Sequence, residues 1–178
     1  YIDTGILEGV CYGVRFGFYG TGISEGFANI IGTSDAGFAV GANNTDITKW
    51  YWCYRGKKDQ TAAPTGWGSS RPSVSTSSIN DAAFTNQMFT VNGTVVKSGL
   101  DAGPVGETSA NIHLGRYANG RYHYGWGSYV RFDDASGTAI LDYIPAQRIT
   151  DGKVGFYDRA TGRFVGNSGT GAFGAGNV

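Results

Sequence analysis

The sequence predicts an all-β domain of antiparallel strands, arranged as a sandwich or a barrel, and three observations predict it. Apolar and polar residues alternate with a period of two along most of the chain, and no stretch has the periodicity of an amphipathic helix. The 178 residues include 30 glycines, 11 tyrosines and 10 phenylalanines, a composition that suits short strands and tight turns. Turn signals separate the short apolar runs at regular spacing, as in sandwiches and barrels. We therefore expect one domain over residues 1–178.

Each predicted strand is a short alternating run bounded by turn residues. In chain order the predicted strands are Tyr1–Ile6, Val10–Tyr19, Ala28–Gly32, Gly37–Ala42, Trp50–Arg55, Ser73–Ile79, Gln87–Val91, Thr94–Lys97, Ala110–Gly115, Ser128–Asp133, Ala139–Ile144, Lys153–Asp158 and Arg163–Val165. Asn92-Gly93 predicts a two-residue type I′ hairpin turn, and Gly137 and Gly162 supply the left-handed residue of longer hairpin loops. Residues 57–71 form the longest irregular segment, which is typical of a functional or mobile loop.

Charge and hydropathy exclude two classes of partner. Lys and Arg number 14, and so do Asp and Glu, so the chain has no basic surplus with which to neutralise nucleic-acid phosphates. No apolar run approaches the roughly 20 residues that cross a bilayer. The chain begins at Tyr1, without Met and without a signal-like apolar stretch, so we expect an excised or processed domain.

Cys11 and Cys53 are the only cysteines, too few for a disulfide scaffold and without zinc-ligand spacing. Alternation predicts an apolar row that starts at Val10 and Tyr12, which places Cys11 on the opposite face of its strand. Cys53 likewise alternates with Trp52 and its apolar neighbours. The two cysteines can form a disulfide if their strands are adjacent, and two unbridged thiols remain the alternative.

Four segments carry a resemblance to a known family. The opening YIDTGI and the FTVNGTVV hairpin match at low specificity. The stronger match covers roughly Ser128–Phe173, where a D-Y-I-P strand is followed by G-K-V-G-F-Y-D, a hairpin and N-S-G-T-G-A-F. This order resembles the closing segment of concanavalin A-like, laminin-G-like jelly-roll domains of gut-bacterial surface proteins and phage structural proteins. The resemblance implies a jelly-roll β-sandwich and recognition of glycans or proteins, without implying a shared ligand.

Catalytic patterns are missing from the sequence. A glycoside hydrolase needs two carboxylates about 5–10 Å apart, which in a strand means acidic residues two positions apart. The three glutamates, Glu8, Glu25 and Glu107, all lie in turn-like contexts with no such partner. Asp133 and Asp134 are adjacent and therefore point to opposite faces. A lyase-like set around His113 and His123 is conceivable, although surface and core positions explain both histidines.

No cofactor is predicted, and calcium is the one metal worth weighing. Calcium prefers oxygen ligands from loop residues. The candidate ligands are Asp35, Asn43, Asn44, Asp46, Asp133 and Asp134. Because Asp and Asn are also the ordinary turn residues and no D-x-D-x-D spacing occurs, we expect no tightly bound ion.

Aromatic residues in loops are the main functional signal. Trp67 lies between two glycines, where its ring has room to stack on a sugar. The segment 116–127 interleaves aromatic and basic residues, which is typical of recognition surfaces and equally compatible with packing. The predicted ligand-binding residues are Trp67, Tyr117, Arg121, Tyr122, Tyr124 and Trp126.

The sequence thus predicts a non-catalytic recognition module that binds a glycan or cell-surface polysaccharide, outside the cell or on a virion. Two alternatives stay open. The aromatic patch can be a homo-oligomer or fibre contact of a structural or capsid-decorating protein. A glycoside hydrolase or polysaccharide lyase is the second alternative. We expect neither nucleic-acid binding nor membrane insertion.

Overall fold

A computed structural model of the chain describes residues 1–19, 27–33, 37–43, 46–55, 61–62, 75, 77–117, 121–122, 127–169 and 173. Its elements are β1 (Ile2–Leu7), a 3₁₀ turn (Glu8–Val10), β2 (Gly13–Tyr19), β3 (Phe27–Gly32), β4 (Ala39–Asn43), β5 (Asp46–Cys53), β6 (Thr61–Ala62), β7 (Ile79–Thr85), β8 (Met88–Val91), β9 (Thr94–Ser98), β10 (Asn111–Leu114), β11 (Arg116–Tyr117), β12 (Arg121–Tyr122), β13 (Gly127–Asp133), β14 (Ala139–Gln147), β15 (Val154–Asp158) and β16 (Arg163–Val165).

Two antiparallel sheets form a β-sandwich. The six-stranded sheet has the order β1-β10-β3-β4-β5-β6, and the eight-stranded sheet has the order β16-β15-β14-β13-β2-β7-β8-β9. The pair β11–β12 forms a separate two-stranded ribbon. The predicted all-β sandwich is therefore confirmed, while its finer description as a jelly roll stays a prediction. Among the described residues, no helical segment has the length and hydropathy that a membrane crossing requires.

The core lies between the two sheets and is rich in aromatic side chains. Val14, Phe16 and Phe18 alternate along β2 and are at most 1% exposed. Phe84 of β7 stacks on Phe89 of β8 with ring centroids 4.2 Å apart, and Trp52 packs on Phe89 from the other sheet at 5.1 Å. Burial of such rings is the main stabilising contribution in a sandwich of this kind.

The predicted hairpins are confirmed. Asn92 and Gly93 have φ angles of 50° and 75°, as a type I′ turn requires. Gly137 and Gly162 have φ angles of 80° and 72° in the two longer hairpin loops.

Three predicted strands need correction. The strand predicted to begin at Val10 begins at Gly13, because residues 8–10 form a 3₁₀ turn. The predicted strand Trp50–Arg55 is replaced by Asp46–Cys53, and Arg55 turns away with a φ of 56°. The predicted strand Ser73–Ile79 is wrong: Ser75, Ser77 and Ser78 lie outside any strand, and β7 starts at Ile79. Side-chain bonds hold that turn, since the Ser75 and Ser78 backbone nitrogens donate to Asn80 Oδ1 and Ser75 Oγ.

The cysteines are thiols and do not form a disulfide. The face predicted for Cys11 was wrong, because its side chain is fully buried while Val10 and Tyr12 are 50% and 41% exposed. The period-two pattern fails there because the 3₁₀ turn Glu8–Val10 interrupts it and β2 begins only at Gly13. Cys11 Sγ donates to the Gly13 carbonyl oxygen at 3.3 Å, and Cys53 Sγ lies 3.8 Å from the Gly37 carbonyl oxygen.

Candidate functional site

A pocket of about 340 Å³ opens where β2 begins and β13 ends. We call it the rim pocket. Its lining residues are Tyr12, Gly13, Arg15, Tyr54, Thr85, Asn86, Gln87, Asp101, Ala102, Gly103, Asp133, Asp134, Ala135 and Gly137. They come from five connections between strands and from the strand ends beside them, so loops held by the two sheets position most of the polar groups.

Tyr12 provides the aromatic surface of the rim pocket. Its backbone N–H donates to the Asp133 carbonyl oxygen at 2.8 Å, which fixes the residue against the end of β13. The side chain is 41% exposed. At the next position, a Cβ on Gly13 would lie 3.3 Å from the Asp133 side chain, so glycine lets Asp133 pack closely beside Tyr12.

Arg15 supplies an uncommitted cation. It is exposed on the outer face of β2, directly opposite Arg131 of β13. Arg131 Nε donates to Asp133 Oδ1 at 2.7 Å, so the positive charge of Arg131 is balanced by the carboxylate of Asp133. The Arg15 guanidinium forms no hydrogen bond or ion pair with any residue the structure describes. A planar guanidinium of this kind is suited to binding oxygen atoms of a ligand.

Asn86 and Gln87 present two carboxamides on a left-handed turn. Their φ angles are 52° and 58°, and they connect β7 to β8 as a two-residue hairpin. The Leu100 N–H donates to the Gln87 carbonyl oxygen at 2.9 Å and holds the turn against the loop that follows β9. Neither side-chain amide bonds to a described residue. Positive φ at both central residues is what a two-residue hairpin turn of type I′ requires.

The opposite wall of the pocket is fixed by Tyr54 and Arg55. The Tyr54 hydroxyl lies within 3.4 Å of the Asp101 and Gly103 carbonyl oxygens and donates to them. Burial is the main cause that raises the pKa of Tyr54. Arg55 Nη1 donates to the Pro104 carbonyl oxygen at 2.9 Å, and its Nη2 bonds to a carboxylate nearby. The wall is thus held in place before any ligand arrives.

The acidic side of the pocket is also pre-arranged. Asp134 Oδ1 accepts hydrogen bonds from the Ser136 N–H, the Ser136 hydroxyl and the Thr138 N–H at 2.7–3.0 Å. These bonds, led by that from the Ser136 hydroxyl, lower the pKa of Asp134. The carboxylate therefore stays ionised at neutral pH and has remaining lone pairs to accept ligand hydroxyls.

These groups suit a polyhydroxylated ligand. An exposed aromatic ring, two carboxamides, a guanidinium and carboxylates surround one concave space, and they offer both donors and acceptors. The volume lies near the lower end of the usual range of small-molecule sites, about 300–1,000 Å³.

The predicted ligand-binding residues fall elsewhere. Trp67, Tyr124 and Trp126 lie outside the described residues. Tyr117, Arg121 and Tyr122 lie in the β11–β12 ribbon, where Tyr117 pairs with Arg121. No residue of this ribbon lines the rim pocket.

Sequence reasoning missed the rim pocket. Tyr12 was assigned to a strand face, and Gln87 was placed in a strand. The signal that could have found the turn is Asn86 between two β-prone runs, because Asn tolerates the left-handed region. Of the predicted calcium ligands, Asp133 and Asp134 are engaged in the bonds above. Among the described residues, no group of three or more His, Cys, Asp or Glu side chains is arranged to hold a metal.

A second surface lies on the outer face of the eight-stranded sheet. Ile144 pairs with Tyr157, which pairs with Phe164, and Tyr129 follows on the adjacent strand. We call this set the outer row. Tyr157 is 41% exposed, and the Tyr129 hydroxyl donates to Asp81 Oδ1 at 3.1 Å. Exposed rows of large side chains mark contact surfaces more often than isolated ones do.

No protein-family model matches this chain, and neither a curated protein nor a solved structure matches it.

Proposed function

We propose that this domain is a non-catalytic recognition module that binds a carbohydrate in the rim pocket. The observation that carries the proposal is the convergence of exposed Tyr12 with the unengaged polar groups of Arg15, Asn86 and Gln87 on one concave space. An aromatic face stacks on the apolar side of a pyranose ring, and amides and guanidinium groups bond its hydroxyls.

Jelly-roll topology, recognition of a cell-surface polysaccharide, and a location outside the cell or on a virion belong to the same proposal. They are supported by the resemblance of the Ser128–Phe173 segment to jelly-roll domains of surface and phage proteins. The confirmed β-sandwich is compatible with them.

A glycan array followed by calorimetry on any ligand found tests the binding site. Tyr12→Ala removes the stacking face, and we expect about tenfold weaker binding. Asn86→Gly and Gln87→Gly delete the amides while keeping a turn that needs positive φ, so both should weaken binding without unfolding the domain. Lys97→Gln changes an exposed side chain of β9 that does not line the rim pocket, and it serves as the control.

Two results would contradict the proposal. One is the absence of any glycan ligand. The other is unchanged affinity in the Tyr12→Ala and Asn86→Gly variants, which would move the site to the segments of the chain that contain Trp67 and Trp126. Release of new reducing ends from a bound glycan would show catalysis and overturn the non-catalytic part.

The outer row favours a second candidate, a contact surface in a fibre or other oligomer. Tyr129, Ile144, Tyr157 and Phe164 offer a contiguous row of large side chains for such a contact. A stable trimer in solution that binds no glycan would support this candidate, whereas a monomer that binds glycans would support the first.

A further inference from the structure

A second cavity, of about 370 Å³, opens between the two sheets on the side where β1 and β16 are the edge strands. We call it the edge cavity. It shares no lining residue with the rim pocket. Its walls combine polar side chains with aliphatic ones, among them Ile6 from one sheet and Leu141 and Val165 from the other.

Tyr143 places a hydroxyl in this cavity. The residue is 4% exposed, and its ring stacks on Phe156 with centroids 5.9 Å apart. The hydroxyl forms no hydrogen bond with any described residue. Burial raises the pKa of Tyr143 to about 12, and the charges of Asp158 and Asp3 contribute, so both carboxylates act on this hydroxyl. This hydroxyl faces the cavity and is therefore available to bond a ligand there.

The two carboxylates are held firmly and keep unused acceptor sites. Asp158 is 5% exposed; its Oδ1 accepts the Asp142 and Ala160 N–H groups, and its Oδ2 accepts the Thr161 hydroxyl at 2.6 Å. Its Oδ1 therefore has no lone pair left, whereas its Oδ2 keeps one for a ligand.

Asp3 is fixed by an irregularity of β1. Its Oδ1 accepts the Gly5 N–H at 3.0 Å and the Asn111 amide at 3.1 Å, and Gly5 has a φ of 69°. Its Oδ2 lies 3.7 Å from His113 Nε2. Arg163 is the one described cation among the lining residues and is exposed, so the two carboxylates leave the lining negative overall.

We infer that the edge cavity binds an aliphatic primary ammonium, with the ammonium group among Asp3, Asp158 and Tyr143 and the methylene chain along Ile6, Leu141 and Val165. The two carboxylates make the lining of this cavity negative, and an ammonium carries three donors and a positive charge. The aliphatic side chains exclude water from a chain of four or five methylenes. A lysine side chain and a free diamine share this chemistry.

Calorimetric titration with cadaverine and with Nα-acetyl-lysine methylamide tests the inference, and the Nε-acetylated analogue is the neutral control. We expect the charged compounds to bind and the neutral analogue to bind at least tenfold more weakly. Binding of the lysine compound alone supports a protein side chain as the natural occupant, and binding of both supports free amines as well.

Two variants sharpen the test because they act in opposite directions. Tyr143→Phe removes one bonding group and keeps the ring, so it should weaken binding about fivefold. Arg163→Gln removes the repelling charge and should strengthen binding about threefold. Arg148→Gln, in the β14–β15 turn, is the matched control. Absence of binding, equal binding of the neutral analogue, or weaker binding by Arg163→Gln would overturn the inference.

Discussion

Glu8 is fully buried although glutamate is a charged residue type. Its Oε1 accepts hydrogen bonds from the Thr108 N–H at 2.8 Å and the Thr108 hydroxyl at 2.6 Å. Among the described residues, its Oε2 has no partner. A Cβ on Gly37 would lie 2.5 Å from Oε2, and a Cβ on Gly106 would overlap the carboxylate. Glycine is therefore needed at positions 37 and 106, because a side chain at either position would collide with the buried carboxylate of Glu8.

We expect Gly106→Ala to lower the free energy of unfolding by about 1–3 kcal/mol, because the added methyl group collides with a buried side chain. Glu8→Ala is also destabilising, since it leaves the Thr108 donors unpaired. In the double variant the methyl group occupies vacated space, so the combined loss should fall short of the sum by about 1 kcal/mol. Denaturant unfolding of the four proteins measures this, and additive losses would contradict the proposed collision.

Nothing in the sequence around Glu8 distinguishes it from an exposed turn residue. Glycine flanks it at position 9, and the groups that bury it are roughly 30 and 100 positions away along the chain. Its role could not be predicted because it depends on long-range closure of the sandwich rather than on local pattern.

At the scale of elements, two glycines that follow strands separate the effect of backbone strain from the effect of chain entropy. Gly93 has a φ of 75° and open space around its Cβ position, while Gly166 also has open space but an ordinary φ. Gly93→Ala should therefore destabilise the domain by about 1 kcal/mol through backbone strain alone. Gly166→Ala should be neutral or stabilise by about 0.5 kcal/mol, because it restricts only the unfolded chain. Thermal unfolding of both variants measures the difference, and equal effects would exclude strain as the cause.

The strands were predictable where alternation and turn chemistry agree. Arg163–Val165 was predicted with its observed bounds, and Thr94–Lys97 is one residue short. Prediction failed where side chains override local propensity. The side chains of Ser75 and Asn80 accept hydrogen bonds from backbone N–H groups of a serine-rich run and keep that run out of the sheet. The strand β7 therefore begins later in the chain than the sequence predicts. The candidate site was the least predictable part, because turns form it and the sequence predicts the ends of those turns at the wrong residues.

For the whole molecule, two tyrosines, Tyr129 and Tyr143, link stability to alkaline pH. Burial, with Asp81 nearby, raises the pKa of Tyr129 to about 12, and the pKa of Tyr143 is also about 12. Both groups bind their proton more tightly in the folded state. Their contribution is therefore complete below pH 10, the ordinary tyrosine value, and is lost as pH rises from about 10 to about 12.

We expect the melting temperature to fall across this pH interval and the fall to be smaller in the Tyr129→Phe, Tyr143→Phe double variant. Replacing the exposed Tyr157 with Phe provides the matched control. Differential scanning fluorimetry between pH 8 and pH 12 measures the effect. An identical fall in the wild type and the double variant would show that other groups dominate alkaline unfolding.

The buried Cys11 has a consequence for covalent chemistry. Burial, with the charge of Asp133, raises the pKa of its thiol far above the usual cysteine range. Since only the thiolate attacks electrophiles, the folded protein protects this sulfur both sterically and chemically. An alkylating reagent can reach it only in molecules whose core has opened, so modification of Cys11 leaves a permanent mark of each past unfolding event.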